Sequence, residues 1–278
     1  MKIGIRLHDT IPGTLEERMA FARGQGFECV HLALSKALPD FAMADAPAKL
    51  QEPEMLERVR GPLASTRMDC AVLGCYLCLT HPDAEEREKT RQIYYAHLAF
   101  AKKIGAWMVG SETPIHPQSP LAKDAPRSEE AFRFFLEQVA PVVRRAEEEG
   151  VILALEPVYT HIVSTPEKAE RMLDHFHSDN LRIILDSVNL LGADNADRRE
   201  EVIGEAMRRL GDRVALLHMK DFLPEGGKLR SLACGKGKMD YRALMAFARQ
   251  RDLSMTLEDT TPEDAEQARL HLLDQLNG

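Results

Sequence analysis

Cysteine is sparse in this chain. Five residues, Cys29, Cys70, Cys75, Cys78 and Cys234, are scattered over 278 positions, an odd count that excludes the paired framework of a small secreted domain and points to reduced thiols. Cys75 and Cys78 have C-x-x-C spacing, but they lie in an apolar stretch read as a strand. Positions three apart on a strand face opposite sides, so the two sulfurs are not expected to converge. Long hydrophobic runs are also missing. No segment approaches the roughly 18 apolar residues of a membrane span, and Met1–Arg6 reads as a first strand rather than a secretion signal, so no membrane partner and a cytoplasmic location are expected. Positive charge is in deficit, with 36 Lys and Arg against 44 Asp and Glu and a net charge of -8. A global basic field is therefore absent and nucleic acid is disfavoured as a partner. Nucleotide-binding fingerprints are absent too; Gly235-Lys236-Gly237-Lys238 could cradle a phosphate, but a plain turn is the simpler reading. No low-complexity run marks a linker, and the 44% hydrophobic content can fill a large core. Residues 1–278 are expected to form a single domain.

A repeated junction organises the chain. A charged amphipathic stretch, then a glycine, then an apolar run recurs around Gly24-Gln25-Gly26, Gly105, Gly150 and Gly211. Glycine tolerates the left-handed conformation that ends a helix, so each junction reads as helix, glycine, strand. Thr14-Leu15-Glu16-Glu17 fits a capping box, while Thr165-Pro166-Glu167 and Thr261-Pro262-Glu263 carry the hydroxyl, proline and acid of a helix start. Strands are predicted near 2–7, 29–34, 70–76, 107–112, 152–156, 182–186, 214–219 and 254–258. Helices are predicted near 15–24, 52–66, 83–104, 128–149, 166–177, 198–210, 240–250 and 263–276. Such alternation closes as a (β/α)8 barrel or lies open as a doubly wound sheet, and polar chemistry at nearly every strand end favours the barrel, an α/β TIM fold. Ser35–Gln51 and Thr113–Pro126 follow strands on the face where a site is expected and read as lids or specificity loops.

Four apolar runs each deliver a metal-competent side chain at their C-terminal end: Ile152–Glu156, Ile183–Asp186, Val214–His218 and Met255–Glu258, with those end residues 30, 32 and 40 positions apart. A carboxylate at a strand end can equally cap a helix or pair with a base. Four in succession, one per βα unit, point instead to convergence at a barrel rim. Three carboxylates and one imidazole suit one Mn²⁺ or Mg²⁺, with Co²⁺ or Zn²⁺ as alternatives. Lys220 shares a face with His218 and could reach a substrate oxygen or pair with a carboxylate. Glu112 is a candidate for binding substrate or a metal-bound water, and His8 and Tyr76 are candidate pocket walls. His97, His175 and His177 read as packing or surface residues.

Leu155-Glu156-Pro157, Leu185-Asp186, His218-Met219-Lys220-Asp221 and Leu257-Glu258 together resemble the motifs of the xylose isomerase-like TIM barrels, which include tagatose and psicose epimerases, hydroxypyruvate isomerase and inosose dehydratase. Cys75-Tyr76-Leu77, His81-Pro82-Asp83, Gly110-Ser111-Glu112-Thr113 and the segment Gly235–Asp240 add weaker support over essentially the whole chain. The resemblance implies that Glu156, Asp186, His218 and Glu258 hold one divalent cation. It also implies that Glu156 and Glu258 act as the acid/base pair of a sugar, sugar-acid or sugar-phosphate isomerase or epimerase working through an enediolate. The family often forms homo-oligomers. Two positions depart from the pattern: Asn189 stands where many relatives have a histidine, and His31 where many have an acid. Asn189 can bind substrate hydroxyls but cannot shuttle a proton. A lyase dehydrating an inosose or a dehydroshikimate-like substrate is the nearest alternative, followed by an abasic-site endonuclease and a non-catalytic sugar-binding barrel.

Overall fold

The computed structural model describes residues 1–277. Its strands in chain order are β1 (Ile3–Arg6), β2 (Cys29–Leu32), β3 (Asp69–Gly74), β4 (Met108–Glu112), β5 (Ile152–Glu156), β6 (Leu181–Asp186), β7 (Val214–Met219), β8 (Asp221–Glu225), β9 (Lys228–Leu232) and β10 (Met255–Leu257). All but β8 and β9 are parallel and close into a barrel, β1 pairing with both β2 and β10. The helices are α1 (Leu15–Gly24), α2 (Leu34–Ala37), α3 (Ala46–Lys49), α4 (Pro53–Thr66), α5 (Ala84–Ile104), α6 (Glu129–Glu149), α7 (Pro166–Phe176), α8 (Arg199–Leu210), α9 (Arg242–Arg251) and α10 (Ala265–Asn277). The (β/α)8 barrel read from the alternation is the fold that forms. No helix among the described residues is long and apolar enough to cross a membrane.

Local chemistry sets the helix ends. Thr14 closes a full capping box on α1, its Oγ1 accepting from the Glu17 N–H at 3.2 Å while Glu17 Oε2 accepts from the Thr14 N–H at 2.8 Å. Gly105 and Gly150, at φ 70° and 66°, end α5 and α6 in the left-handed conformation that a side chain would strain. Thr261 accepts from the Asp264 N–H at 3.3 Å, but the residues after it form a turn, and α10 starts at Ala265 rather than 263.

Two hydrophobic layers follow from strand alternation. Outward-facing residues such as Leu153, Leu155, Ile183 and Leu185 join the layer under the helices, whereas Val72, Met108, Ala154, Ile184 and Leu216 pack together inside the barrel. The interior is full: a Cβ on Gly110 would lie 2.5 Å from Val72 Cγ1 and 3.0 Å from Ile184 Cδ1.

Three features differ from the sequence reading. β3 ends at Gly74, so Cys75 and Cys78 follow the strand rather than alternate on it; all five thiols are nevertheless free. The Ser35–Gln51 segment, read as a lid or specificity loop, carries most of α2 and all of α3 and buries Leu38 and Leu50 in the core. An antiparallel hairpin, β8–β9, stands between β7 and α9, turned by Gly226-Gly227 with both φ positive, at 58° and 76°. Asp221 anchors it. The carboxylate accepts from the N–H groups of Phe222 at 2.8 Å, Met239 at 2.9 Å and Gly235 at 3.2 Å. Gly235–Lys238 is thereby folded against the hairpin as a turn.

Candidate functional site

Register brings the strand ends level. Glu112 pairs with Glu156 across β4 and β5, Asp186 with His218 across β6 and β7, and Thr256 with His218 across β10 and β7, which leaves Glu258 just above the rim. Glu156, Asp186, His218 and Glu258 are all at most 5% exposed. They meet around one imidazole. His218 Nδ1 lies 2.9 Å from Glu156 Oε2 and 3.3 Å from Glu258 Oε1, and donor atoms of Glu156, Asp186 and His218 lie within 4.8 Å of one another. Ligands at right angles on an ion with bonds of about 2.1 Å stand about 3 Å apart, so this set could hold a divalent cation. Asp186 Oδ2 strengthens the fit because it is buried without a hydrogen bond, while its Oδ1 accepts from the N–H groups of Val188 and Asn189 at 2.8 and 2.9 Å.

Positive groups surround the carboxylates. Lys220, 5% exposed, places Nζ 3.0 Å from Asp186 Oδ2, 3.5 Å from Glu258 Oε2 and 3.6 Å from Asp259 Oδ2. The contact to Asp186 is an ion pair without hydrogen-bond alignment, which leaves that oxygen a free lone pair. Arg6 is held by Asp9 through Nε at 2.9 Å and Nη2 at 3.0 Å, and by Asp259 Oδ1 at 2.6 Å, and it turns Nη1 toward Glu258 Oε2 at 3.4 Å. Asp259 reaches both cations because its backbone adopts φ 52° directly after Glu258. Asn189 donates its side-chain N–H to Glu156 Oε1, which orients that carboxylate.

Protonation follows from burial and these charges. Burial would lower the His218 pKa, but Glu258 and Glu156 outweigh it and raise the imidazole to about 9. Burial would likewise raise Glu258; His218 and Lys220 overcome it and hold the carboxyl well below its ordinary value. Asp186 is raised to about 6 by burial against the pull of Lys220. Glu112, raised to about 7 by burial and then by Glu156 and Glu258, titrates near neutrality. His8 is lowered to about 4, chiefly by burial, and His31 is also lowered by burial.

Above the quartet opens a cleft of ≈ 490 Å³, large enough for a small ligand, lined by Arg6, His8, His31, Ser35, Lys36, Met43, Tyr76, Glu112, Asn189, Lys220, Ser231, Glu258 and Asp259 among others. Every residue expected at the site from sequence is either in the quartet or on this wall. Tyr76 folds back across the barrel mouth over Gly74 and Gly110, where added Cβ atoms would meet its ring at 2.8 Å and its hydroxyl at 3.4 Å. Arg6, Asp259 and the hairpin's Ser231 are cleft residues not expected from sequence, while His31, noted there as standing where many relatives have an acid, also lines the cleft. His161 was also missed; its Nδ1 approaches Glu112 Oε2 to 3.6 Å. Among the other histidines, His97 is fully buried and packs against Phe41, whereas His175 and His177 are exposed.

A parallel barrel with three carboxylates and an imidazole gathered at the C-terminal mouth defines the class of molecule. The chain belongs to the xylose isomerase-like TIM barrel family, whose model matches residues 19–275. Among solved structures it is similar to 3-keto-D-glucoside 4-epimerase from E. coli, with a TM-score of 0.76, 15% identity and 99% of each chain covered. The probable 3-DHS dehydratase AsbF of Bacillus anthracis, involved in petrobactin synthesis, aligns with a TM-score of 0.74 and 14% identity over 98% of each chain. The IOLI protein with a bound zinc atom aligns with a TM-score of 0.70 and 17% identity over 100% of this chain and 98% of its own. At such identities the likeness bears on fold alone. No curated protein matches the sequence.

Proposed function

We propose that the chain is a divalent-metal-dependent isomerase or epimerase of a small sugar or sugar acid, with residues 1–278 acting as one catalytic domain. The observation that carries this reading is the convergence of Glu156, Asp186 and Glu258 on His218 beneath a cleft of small-ligand size. A cation held by the quartet, Mn²⁺ or Mg²⁺ by the donor count with Co²⁺ or Zn²⁺ as alternatives, supplies Lewis acidity toward a carbonyl and its neighbouring hydroxyl.

The chain's own groups account for the proton transfers. Glu258, with Arg6 and Lys220 beside it at 3.4 and 3.5 Å to favour the carboxylate, is suited to remove the proton from the carbon beside the carbonyl. Glu156, aimed by Asn189, faces the same space and is suited to return it. Lys220 offsets carboxylate charge that would otherwise repel a developing oxyanion. Asn189, Glu112, His8 and Tyr76 line the cleft and are assigned to substrate contact.

A dehydratase remains the second reading, and Glu112 favours it. A carboxyl with its pKa near 7 at the cleft wall can stay protonated and donate to a departing hydroxyl, a step that isomerisation does not need. The two readings share the first proton abstraction. Incubating a panel of sugars, sugar acids and inososes in D2O with the loaded protein separates them: deuterium retained beside the carbonyl of an isomeric product supports the isomerase or epimerase, and loss of water supports the lyase. No exchange with any panel member would count against both.

A further inference from the structure

A second imidazole stands at the barrel mouth outside the quartet. His31, within β2, is 1% exposed, and neither of its ring nitrogens has a hydrogen-bond partner. Buried polar groups are as a rule satisfied, so two bare nitrogens call for a partner from outside the chain. The direction of Nδ1 indicates what that partner is, whereas Nε2 lies beside Gly74, 3.0 Å from where a Cβ there would stand. His31 Nδ1 lies 3.3 Å from Glu258 Oε1 without hydrogen-bond alignment, and the same oxygen lies 3.3 Å from His218 Nδ1. Donor atoms of His31, His218 and Glu258 fall within 4.8 Å of one another, as do those of Glu156, Asp186 and His218, and the two groups share His218.

Packing alone does not account for the residue. The ring lies 5.2 Å from that of His218, with planes 10° apart, and 5.5 Å from that of Tyr76. A phenylalanine would make these contacts without burying two unsatisfied nitrogens.

We propose that His31 is a further metal ligand, joining His218 on the cation held by Glu156, Asp186 and Glu258 and biasing the site toward a transition ion such as Zn²⁺ or Co²⁺ over Mg²⁺. The inference rests on the metal reading of the quartet and changes its preferred ion. Imidazole nitrogen is a favoured donor for zinc and cobalt, whereas magnesium is selected by oxygen donors. A second imidazole therefore moves the site away from magnesium.

X-ray absorption on the zinc-loaded protein counts imidazoles directly, and the expected count is two. In His31→Phe, which keeps a ring against His218 and Tyr76, the count falls to one. Zn²⁺ affinity by chelator competition falls about tenfold or more, since even a partner that only supports a ligand is typically worth that much. Mg²⁺ affinity stays within about twofold, because an oxygen-seeking ion gains little from the imidazole. A single imidazole in the wild type, or unchanged Zn²⁺ affinity in His31→Phe, overturns the assignment of His31; if His218→Ala still abolishes binding, the quartet reading stands. Binding that survives His218→Ala and Asp186→Asn overturns both.

Discussion

Removing the ammonium of Lys220 tests the electrostatics of the site. In Lys220→Met the methylene stem is largely retained while the charge between Asp186, Glu258 and Asp259, at 3.0, 3.5 and 3.6 Å, is lost. Breaking a buried ion pair from one side costs about 3–5 kcal/mol because the remaining charge is left uncompensated. Protonation limits that loss. Asp186 already sits at about 6, and without Lys220 it rises further, so the penalty is largest above pH 7 and shrinks as pH falls through about 6. In a protein of this size each kcal/mol moves the melting temperature by roughly 2–4 °C, which puts the expected drop at roughly 6–20 °C for metal-free protein in EDTA at pH 8. A divalent cation placed among the same carboxylates takes over the role of the ammonium, so adding it stabilises the variant more than the wild type. The assay is urea unfolding at pH 6 and pH 8, with and without metal. A metal-free variant within about 1 kcal/mol of wild type at pH 8 would rule out this role for Lys220, as would equal metal stabilisation of the two proteins.

Other expectations concern individual residues. Glu258→Gln should abolish deuterium exchange into substrate and leave the circular dichroism spectrum close to wild type, with a lowered melting transition because Lys220 and Arg6 lose a buried carboxylate partner; retained turnover would remove Glu258 from the proposed acid/base pair. His97 is buried, with Nδ1 2.8 Å from the Ile93 carbonyl and Nε2 unpartnered, and burial lowers its pKa from 6.5 to about 4. A depressed folded-state pKa gives a contribution complete above pH 6.5 and lost as pH falls toward 4, worth about 3 kcal/mol. The stability of wild type relative to His97→Leu should therefore fall by about 3 kcal/mol as pH drops across that window, and a difference independent of pH would contradict it. Asp221→Ala removes the acceptor of three backbone N–H groups. At about 1–3 kcal/mol for the buried Phe222 donor left unsatisfied, and less for the more exposed Met239 and Gly235 donors, it should destabilise the protein by at least about 1 kcal/mol and expose the 221–239 segment to hydrogen exchange; unchanged protection there would show that the carboxylate does not anchor the hairpin.

Much of the architecture is legible in sequence because each βα unit announces itself twice, by an apolar run and by a glycine or capping residue beside it. The quartet is legible for a related reason: each member is the first polar residue after such a run. Arg6 lies on β1, but His8 and Asp9 follow it, and only the short turn Leu7–Asp9 decides which of them reaches the cleft. His31 lies inside its strand rather than beyond it, so a strand-end search passes over it. Asp259 enters through a positive φ, and His161 through the loop after β5. The β8–β9 hairpin did carry a signal in Gly226-Gly227, but its flanking segments do not alternate cleanly enough to read as strands. Asp221 belongs to the H-x-K-D motif, yet its carboxylate ties down backbone rather than facing the cleft.

Glu156, Asp186, His218 and Glu258 are proposed to form one cation site. The direct test is to strip the protein with chelator, re-equilibrate it with Mn²⁺, Mg²⁺, Co²⁺ or Zn²⁺ and measure bound metal per chain by mass spectrometry. About one ion per wild-type chain is expected, and near zero in Asp186→Asn and His218→Ala, because such a site requires three or more protein ligands. A wild-type chain that takes up none of the four ions would contradict it.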